Sequence, residues 1–152
     1  MWYIPFWILF GTALILAGVS VAIRKLRFID IQIMIMVTAL AMSSDMLFCK
    51  QYKLYSYVNV EYKGWYSFWA NLIIIPALGL VFIKFVPKSF KGVAAYIAVW
   101  AVIFTLFEIF VAKPYGILLY PGWRIFPYST IGFVLAFTGE YVYYRILSKY
   151  CR

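Results

Sequence analysis

The chain contains no histidine, only two cysteines and only five acidic residues among its 152. Without histidine there is no His-ligated metal centre and no imidazole general base. Two cysteines are too few for a disulfide scaffold or a thiolate cluster. The P-loop, GxSxG and DxD patterns are missing as well, so ATP-driven transport and conventional catalysis have no footing, and no cofactor or metal is expected. Charge of either sign is scarce, at 12% against about 25% in an average globular chain, which excludes a disordered segment. What fills the chain instead is apolar sequence, 66% of it. The net charge of +9 does not mark a nucleic-acid module. Its 14 basic residues fall in clusters of two or three between apolar blocks too long for a water-facing surface. The partner such a composition demands is the lipid bilayer.

A helix needs ~20 mostly apolar residues to cross about 30 Å of hydrocarbon. Uncharged runs cover 1–23, 31–44, 64–83, 92–107, 114–123 and 125–139. The first and third are long enough outright. The second, fourth and last are each interrupted near one end by a single acid, Asp45, Glu108 and Glu140, with apolar sequence resuming beyond it. The segment 114–123 holds two prolines and two glycines and reads as a loop. The expected fold is therefore all-α, a single domain over 1–152 forming a five-helix transmembrane bundle. Its helices are expected near 2–23, 29–48, 65–85, 92–112 and 126–147.

Basic residues test that count independently. With five spans, Arg24, Lys25, Arg27, Lys84, Lys88, Lys91, Arg145, Lys149 and Arg152 fall on one side, and Lys50, Lys53, Lys63, Lys113 and Arg124 on the other. The richer side reads as cytoplasmic, which puts the N-terminus outside and the C-terminus in the cytoplasm. The opening Met1-Trp2-Tyr3-Ile4-Pro5 has no basic side chain, so the first span is expected to stay as a helix and not to be cleaved as a signal peptide. Cys49 and Cys151 then lie at opposite membrane faces, and no intrachain disulfide is expected.

Aromatic residues make up 22% of the chain. Most are expected to face lipid or form interfacial belts, and a few could line a pocket for a flat, apolar or cationic ligand. The outer segment 49–64 carries Tyr52, Tyr55, Tyr57 and Tyr62 among Lys50, Lys53, Glu61 and Lys63, and reads first as such a belt, extended by Trp65, Tyr66 and Trp69, with a lid over an outward cavity as the alternative.

A carboxylate deep in a bilayer costs about 2.5–3.5 kcal/mol on insertion scales, so it has a partner or a function. Asp30 and Glu61 fall at interfaces and ask for no explanation. Asp45 and Glu108 belong to the outer half of the bundle, with Thr105 on the Glu108 face and Asn71, Tyr66, Tyr128, Ser129 and Thr130 at similar depth. That assembly reads as an outward-facing polar cavity around Glu108, with Arg124 at its mouth. The plainer alternative pairs both acids with Lys50, Lys113 or Arg124, and for Asp45 it is the preferred one. Glu140 is an intramembrane acid on the same face as Gly132 and Ala136, a small-residue stripe that would let a neighbouring helix approach. Glu140 is expected there either protonated or bonded to a hydroxyl such as that of Tyr144, as structural glue between helices, with a proton relay as the alternative. Pro76 is expected to kink the third helix and free a carbonyl near Leu72. No lysine is expected inside the core.

From Asp45 onward the order of features is similar to that of a family of small multi-spanning membrane proteins of Bacillus and related spore-forming Firmicutes. The shared features are Asp45 followed by Leu54-Tyr55-Ser56-Tyr57, an aromatic-opened span from Trp65 through Pro76, and the turn Phe85-Val86-Pro87. They continue with a helix ending in Glu108, the loop residues Gly116, Tyr120 and Trp123, the start Tyr128-Ser129 and a basic last helix. The resemblance covers about two thirds of the chain. It implies a multi-pass protein of a bacterial plasma membrane, singles out Glu108, Trp123 and Tyr128, and supplies no activity.

These residues favour a non-enzymatic protein that binds or passes a small solute, ion or lipid headgroup at Glu108, Asp45, Arg124, Tyr128, Trp123, Thr105 and Asn71. Two other readings are a subunit docking a membrane-protein partner and a small enzyme protonating an isoprenoid-like lipid.

Overall fold

Each uncharged run except 114–123 lies in a helix of the computed structural model, which describes residues 3–57 and 64–150. Glu61, Tyr62 and Lys63 of the outer segment, and Cys151 and Arg152 at the C-terminus, lie outside the described residues. Helix α1 (Ile4–Ile23) opens with Pro5 in its first turn, where the missing N–H costs nothing. Helix α2 (Phe28–Gln51) runs three residues beyond the expected end. Helices α3 (Trp65–Lys84) and α4 (Phe90–Ala112) follow, the latter capped by the Ser89 hydroxyl, which accepts from the Gly92 N–H at 3.1 Å. Helix α5 (Thr130–Tyr150) closes the chain. The protein is thus all-α in substance, with five helices. Four of them, α1 to α4, are long and apolar enough to cross a membrane. The fifth has the length, at 21 residues, but carries Glu140, Arg145 and Lys149.

Helix α3 is the hub. It packs against α1, α2 and α5, and 56% of its apolar stretch is buried, against 17% for α1 and α2. Helices α4 and α5 form a second closely packed pair. Two apolar cores result. One joins Phe6 and Ala13 of α1 to Ala70, Ile74 and Ala77 of α3, with Ala112 and Ile117 at its edge. The other joins Ile29 and Ile33 of α2 to Phe82 and Ile83 of α3, Val93 and Ile97 of α4, and Phe137 of α5. Phe82 is fully buried there, its ring 4.6 Å from that of Phe137 and 5.1 Å from that of Tyr96.

The two ends of the bundle differ. At one end, strand β1 (Ser56–Tyr57) pairs antiparallel with β2 (Leu118–Leu119), Ser56 opposite Leu119 and Tyr57 opposite Leu118. The segment expected to be a plain loop therefore holds a strand, and Gly116 with φ 66° makes the tight turn before it. At the other end sits an ion network that corrects the reading of Asp30 as an interfacial residue. Asp30 is completely buried. Its Oδ2 accepts from Lys84 Nζ at 2.6 Å and from the Arg27 N–H at 2.8 Å, and Arg27 Nη2 reaches Oδ1 at 3.0 Å. Lys84 is itself buried, which corrects the expectation of a core without lysine, and also donates to the Lys25 carbonyl at 2.7 Å. Arg24 donates to the Lys84 carbonyl.

The kink expected at Pro76 takes a specific form. The preceding turn, Ala70–Ile74, is π-helical, and the Ile75 N–H returns to the Ala70 carbonyl. Similar turns occur at Met46–Gln51 in α2 and at Glu108–Ala112 in α4, whereas the segment Ile125–Ser129 before α5 is broken by the extended backbone of Phe126 (φ −101°, ψ 130°). These turns and the break lie in the half of the bundle that carries the strand pair. Such turns are rare in proteins and collect at functional sites.

Candidate functional site

The π-helical turns carry several of the polar residues. Asp45 immediately precedes the first, Asn71 lies within the second, Glu108 begins the third, and Ser129 follows the break at Phe126. A wide turn shifts the register of the residues around it, so polar side chains that an unbroken helix would scatter can converge at one level.

Asp45 is buried, and its Oδ2 accepts a hydrogen bond from the Ser67 hydroxyl of α3. Its other oxygen, Oδ1, is buried with no hydrogen-bond partner. Cys49, one turn on, is a half-buried free thiol beside it. Glu108 faces Ser129 and Tyr120, both within hydrogen-bonding reach of its carboxyl, while its buried Oε2 and the buried Tyr120 hydroxyl make no bond of good geometry. Among the described residues neither carboxylate forms an ion pair. The expected pairing of Asp45 with a nearby base gives way to the pairing with Ser67, because the carboxylate turns inward against α3 while Lys50, Lys113 and Arg124 stay exposed.

Tyr55 lies within electrostatic reach of both acids. Burial, and after it the charge of Asp45, pushes its hydroxyl well above the ordinary tyrosine value. Burial does the same to Tyr57, and burial followed by the Glu108 charge does it to Tyr120. All three remain neutral donors at any physiological pH.

Aromatic rings close the arrangement, with Trp123 at their centre. Its ring lies 5.6 Å from Phe48, 6.4 Å from Tyr55 and 5.6 Å from Tyr128. Its indole Nε1 donates to the Ser129 hydroxyl at 2.9 Å, which orients the ring beside the residues that face Glu108. Two carboxylates with free oxygen valences, neutral hydroxyls and a cluster of ring faces make an environment suited to a cation.

The other expected residues separate into three places. Thr105 is buried between helices, donating to the Ala101 carbonyl at 2.8 Å and meeting the Thr130 hydroxyl at 3.0 Å, so it fastens α4 to α5. Asn71 is buried in the α3 turn and is not hydrogen-bonded to either carboxylate. Arg124 is exposed and lines an open groove outside the cluster. Tyr55, Tyr57 and Tyr120 are the residues the sequence reading did not assign to the site. The first two looked like belt tyrosines, and only the pairing of β1 with β2 folds them inward.

Glu140 is buried, 5% exposed, and rests against Gly79 of α3, where an added Cβ would lie 2.9 Å from its Oε1. The small residue that admits it belongs to the opposing helix. Gly132 and Ala136 are exposed, with nothing near Gly132, so the expected stripe forms no interface. The inward face of α5 is instead Phe133, Phe137, Glu140 and Tyr144, at helical spacing. Tyr144 engages Arg27, whose guanidinium sits 5.9 Å from its ring centre, rather than Glu140.

Comparison with known proteins finds no matching family model, no matching curated protein and no matching solved structure.

Proposed function

We propose that this chain is a multi-pass membrane protein, with its N-terminus outside and C-terminus cytoplasmic, that binds or passes a small organic cation of the alkylammonium type. The binding place is the cluster of Asp45, Glu108, Tyr55, Tyr120 and Trp123. The single observation that carries this reading is the pair of buried carboxylate oxygens, Asp45 Oδ1 and Glu108 Oε2, left without a hydrogen bond or an ion pair among the described residues. Buried polar atoms are ordinarily satisfied, and one left open calls for an explanation, of which a bound ion or ligand is one; Glu140 Oε1 is open in the same way but lies outside this cluster. Ring faces around Trp123 favour a cation with a low hydration cost over a strongly hydrated metal ion. The described residues also contain no group of three or more metal-ligating side chains. The resemblance to the bacterial family supports a plasma-membrane location, and the distribution of basic residues supports the orientation.

The test is calorimetric titration of the purified chain with tetramethylammonium. Saturable binding is expected for the natural protein, and Glu108→Gln removes it while expression and thermal midpoint stay unchanged. If Glu108→Gln binds tetramethylammonium as the natural chain does, Glu108 is structural and the reading fails.

A further inference from the structure

A groove of about 690 Å³ opens between the end of α4 and the start of α5, beyond the Trp123 wall of the cluster. It is lined by Lys113 and Arg124, by Tyr120 and Trp123, and by Ile109 and Phe126 among others. The lining contains two bases and no acid. Neither base forms an ion pair among the described residues, although Glu108 is only five positions from Lys113 in the chain. Glu108 does not neutralise the groove because it turns inward, toward Ser129 and Tyr120.

Nor is the groove spoiled for an anion by the end of α4. Helix C-terminal carbonyls repel negative charge when left open. Here the Glu108, Val111, Ala112 and Lys113 carbonyls accept from the Lys113, Tyr115, Ile117 and Gly116 N–H groups at 2.8–3.2 Å, which leaves the Ile109 and Phe110 carbonyls, beside Pro114, for Lys113 and Arg124 to offset. The walls are firm as well, since Trp123 is fixed by its bond to Ser129 and by three neighbouring rings.

Apolar surface continues from the groove along the outside of the bundle. Phe126 is 71% exposed, Phe110 67% and Leu135 67%. A ligand seated between Lys113 and Arg124 would therefore extend onto a surface fit for hydrocarbon, which a free phosphate or a sugar phosphate would leave uncovered. We propose that this groove binds one anionic phospholipid, its phosphate between Lys113 and Arg124, its headgroup against Tyr120 and Trp123, and its chains along Ile109 and Phe126. The volume lies within the roughly 300–1,000 Å³ range of small-ligand sites. Each Lys or Arg near a membrane surface attracts an anionic headgroup by about 1 kcal/mol. This site adjoins the carboxylate cluster, with Tyr120 and Trp123 at the boundary of both, and takes a ligand of opposite charge.

The experiment is native mass spectrometry of the full chain released from micelles holding equal amounts of phosphatidylglycerol and phosphatidylcholine of the same chain length. A single retained phosphatidylglycerol is expected, favoured about tenfold, and the pair Lys113→Gln with Arg124→Gln should bring the two lipids to parity. Both side chains are exposed, so the variant keeps its fold. The control pair Arg145→Gln with Lys149→Gln makes the same change in net charge at the other end and should keep the preference. Equal retention of the two lipids by the natural chain would overturn the proposal. So would a preference that survives the Lys113 and Arg124 pair, or one that falls equally in the control. Displacement of phosphatidylglycerol by millimolar inorganic phosphate would overturn the lipid assignment.

Discussion

Lys84 Nζ lies 2.6 Å from Asp30 Oδ2, and the two side chains are 1% and 0% exposed. This contact joins the last turn of α3 to the first turn of α2, and the Lys25 carbonyl ties the connection between α1 and α2 to the same ammonium. Deleting one member of a buried pair leaves the other charge uncompensated and costs about 3–5 kcal/mol. Asp30 keeps Arg27 as a second partner, so Lys84→Met is expected to cost about 3 kcal/mol, at the low end of that range. Thermal unfolding in detergent measures it. The double variant Asp30→Asn with Lys84→Met should recover part of the loss, since no buried charge remains; equal losses in the single and double variants would show that the pair is not the cause.

The contact between Gly79 and Glu140 makes a prediction of opposite logic. A methyl group at position 79 would sit 2.9 Å from Glu140 Oε1, closer than packing permits. The atom met is the tip of a flexible side chain that can swing aside, so Gly79→Ala is expected to destabilise by about 1 kcal/mol, the low end of the usual cost of overpacking. Glu140→Ala in the same chain should relieve it. Strict additivity of the two single losses, read from unfolding midpoints, would mean the side chains do not meet.

Alkaline pH should loosen the end that carries the strands. Tyr55, Tyr57 and Tyr120 hold their protons in the folded chain well past the ordinary value near 10. The unfolded chain loses them near that value. Between the two the folded state binds more protons, so stability is full below about pH 10 and falls as pH rises above it. Tyrosinate absorbance at 295 nm should show part of the tyrosine complement titrating only with unfolding. The triple change to Phe at these positions should remove that late step, and its persistence would place the late tyrosines elsewhere.

The helices were legible in the sequence because their cause is local. Runs such as 1–23 have no alternative in lipid but to satisfy their own backbone groups as helices. Glu108 was legible for the same reason, as a charge too costly to be accidental. Asp30 was misread because its position beside a basic cluster fits an interface, and only the packing of α3 brings Lys84 down onto it. Glu140 was read as inward, and so it is, but the glycine that accommodates it is Gly79 on another helix, which no periodicity within α5 could reveal. The two-residue strands are too short to show alternation. Their pairing is what converts Tyr55 and Tyr57 from belt residues into the lining of the cluster. The π-helical turns also leave no simple pattern, except that the one in α3 precedes Pro76, whose missing N–H cannot close an ordinary turn.

The most direct measurement is a titration of the ¹⁵N-indole-labelled chain with tetramethylammonium, followed by NMR at the Trp123 Nε1–H and assigned with Trp123→Phe. That proton is bonded to Ser129, beside Glu108, and its ring is the centre of the aromatic group. The Trp123 resonance is expected to shift saturably in the natural chain and to stay still in Glu108→Gln. A resonance that never moves, or one that moves equally in Glu108→Gln, would contradict the assignment of this cluster as a cation site.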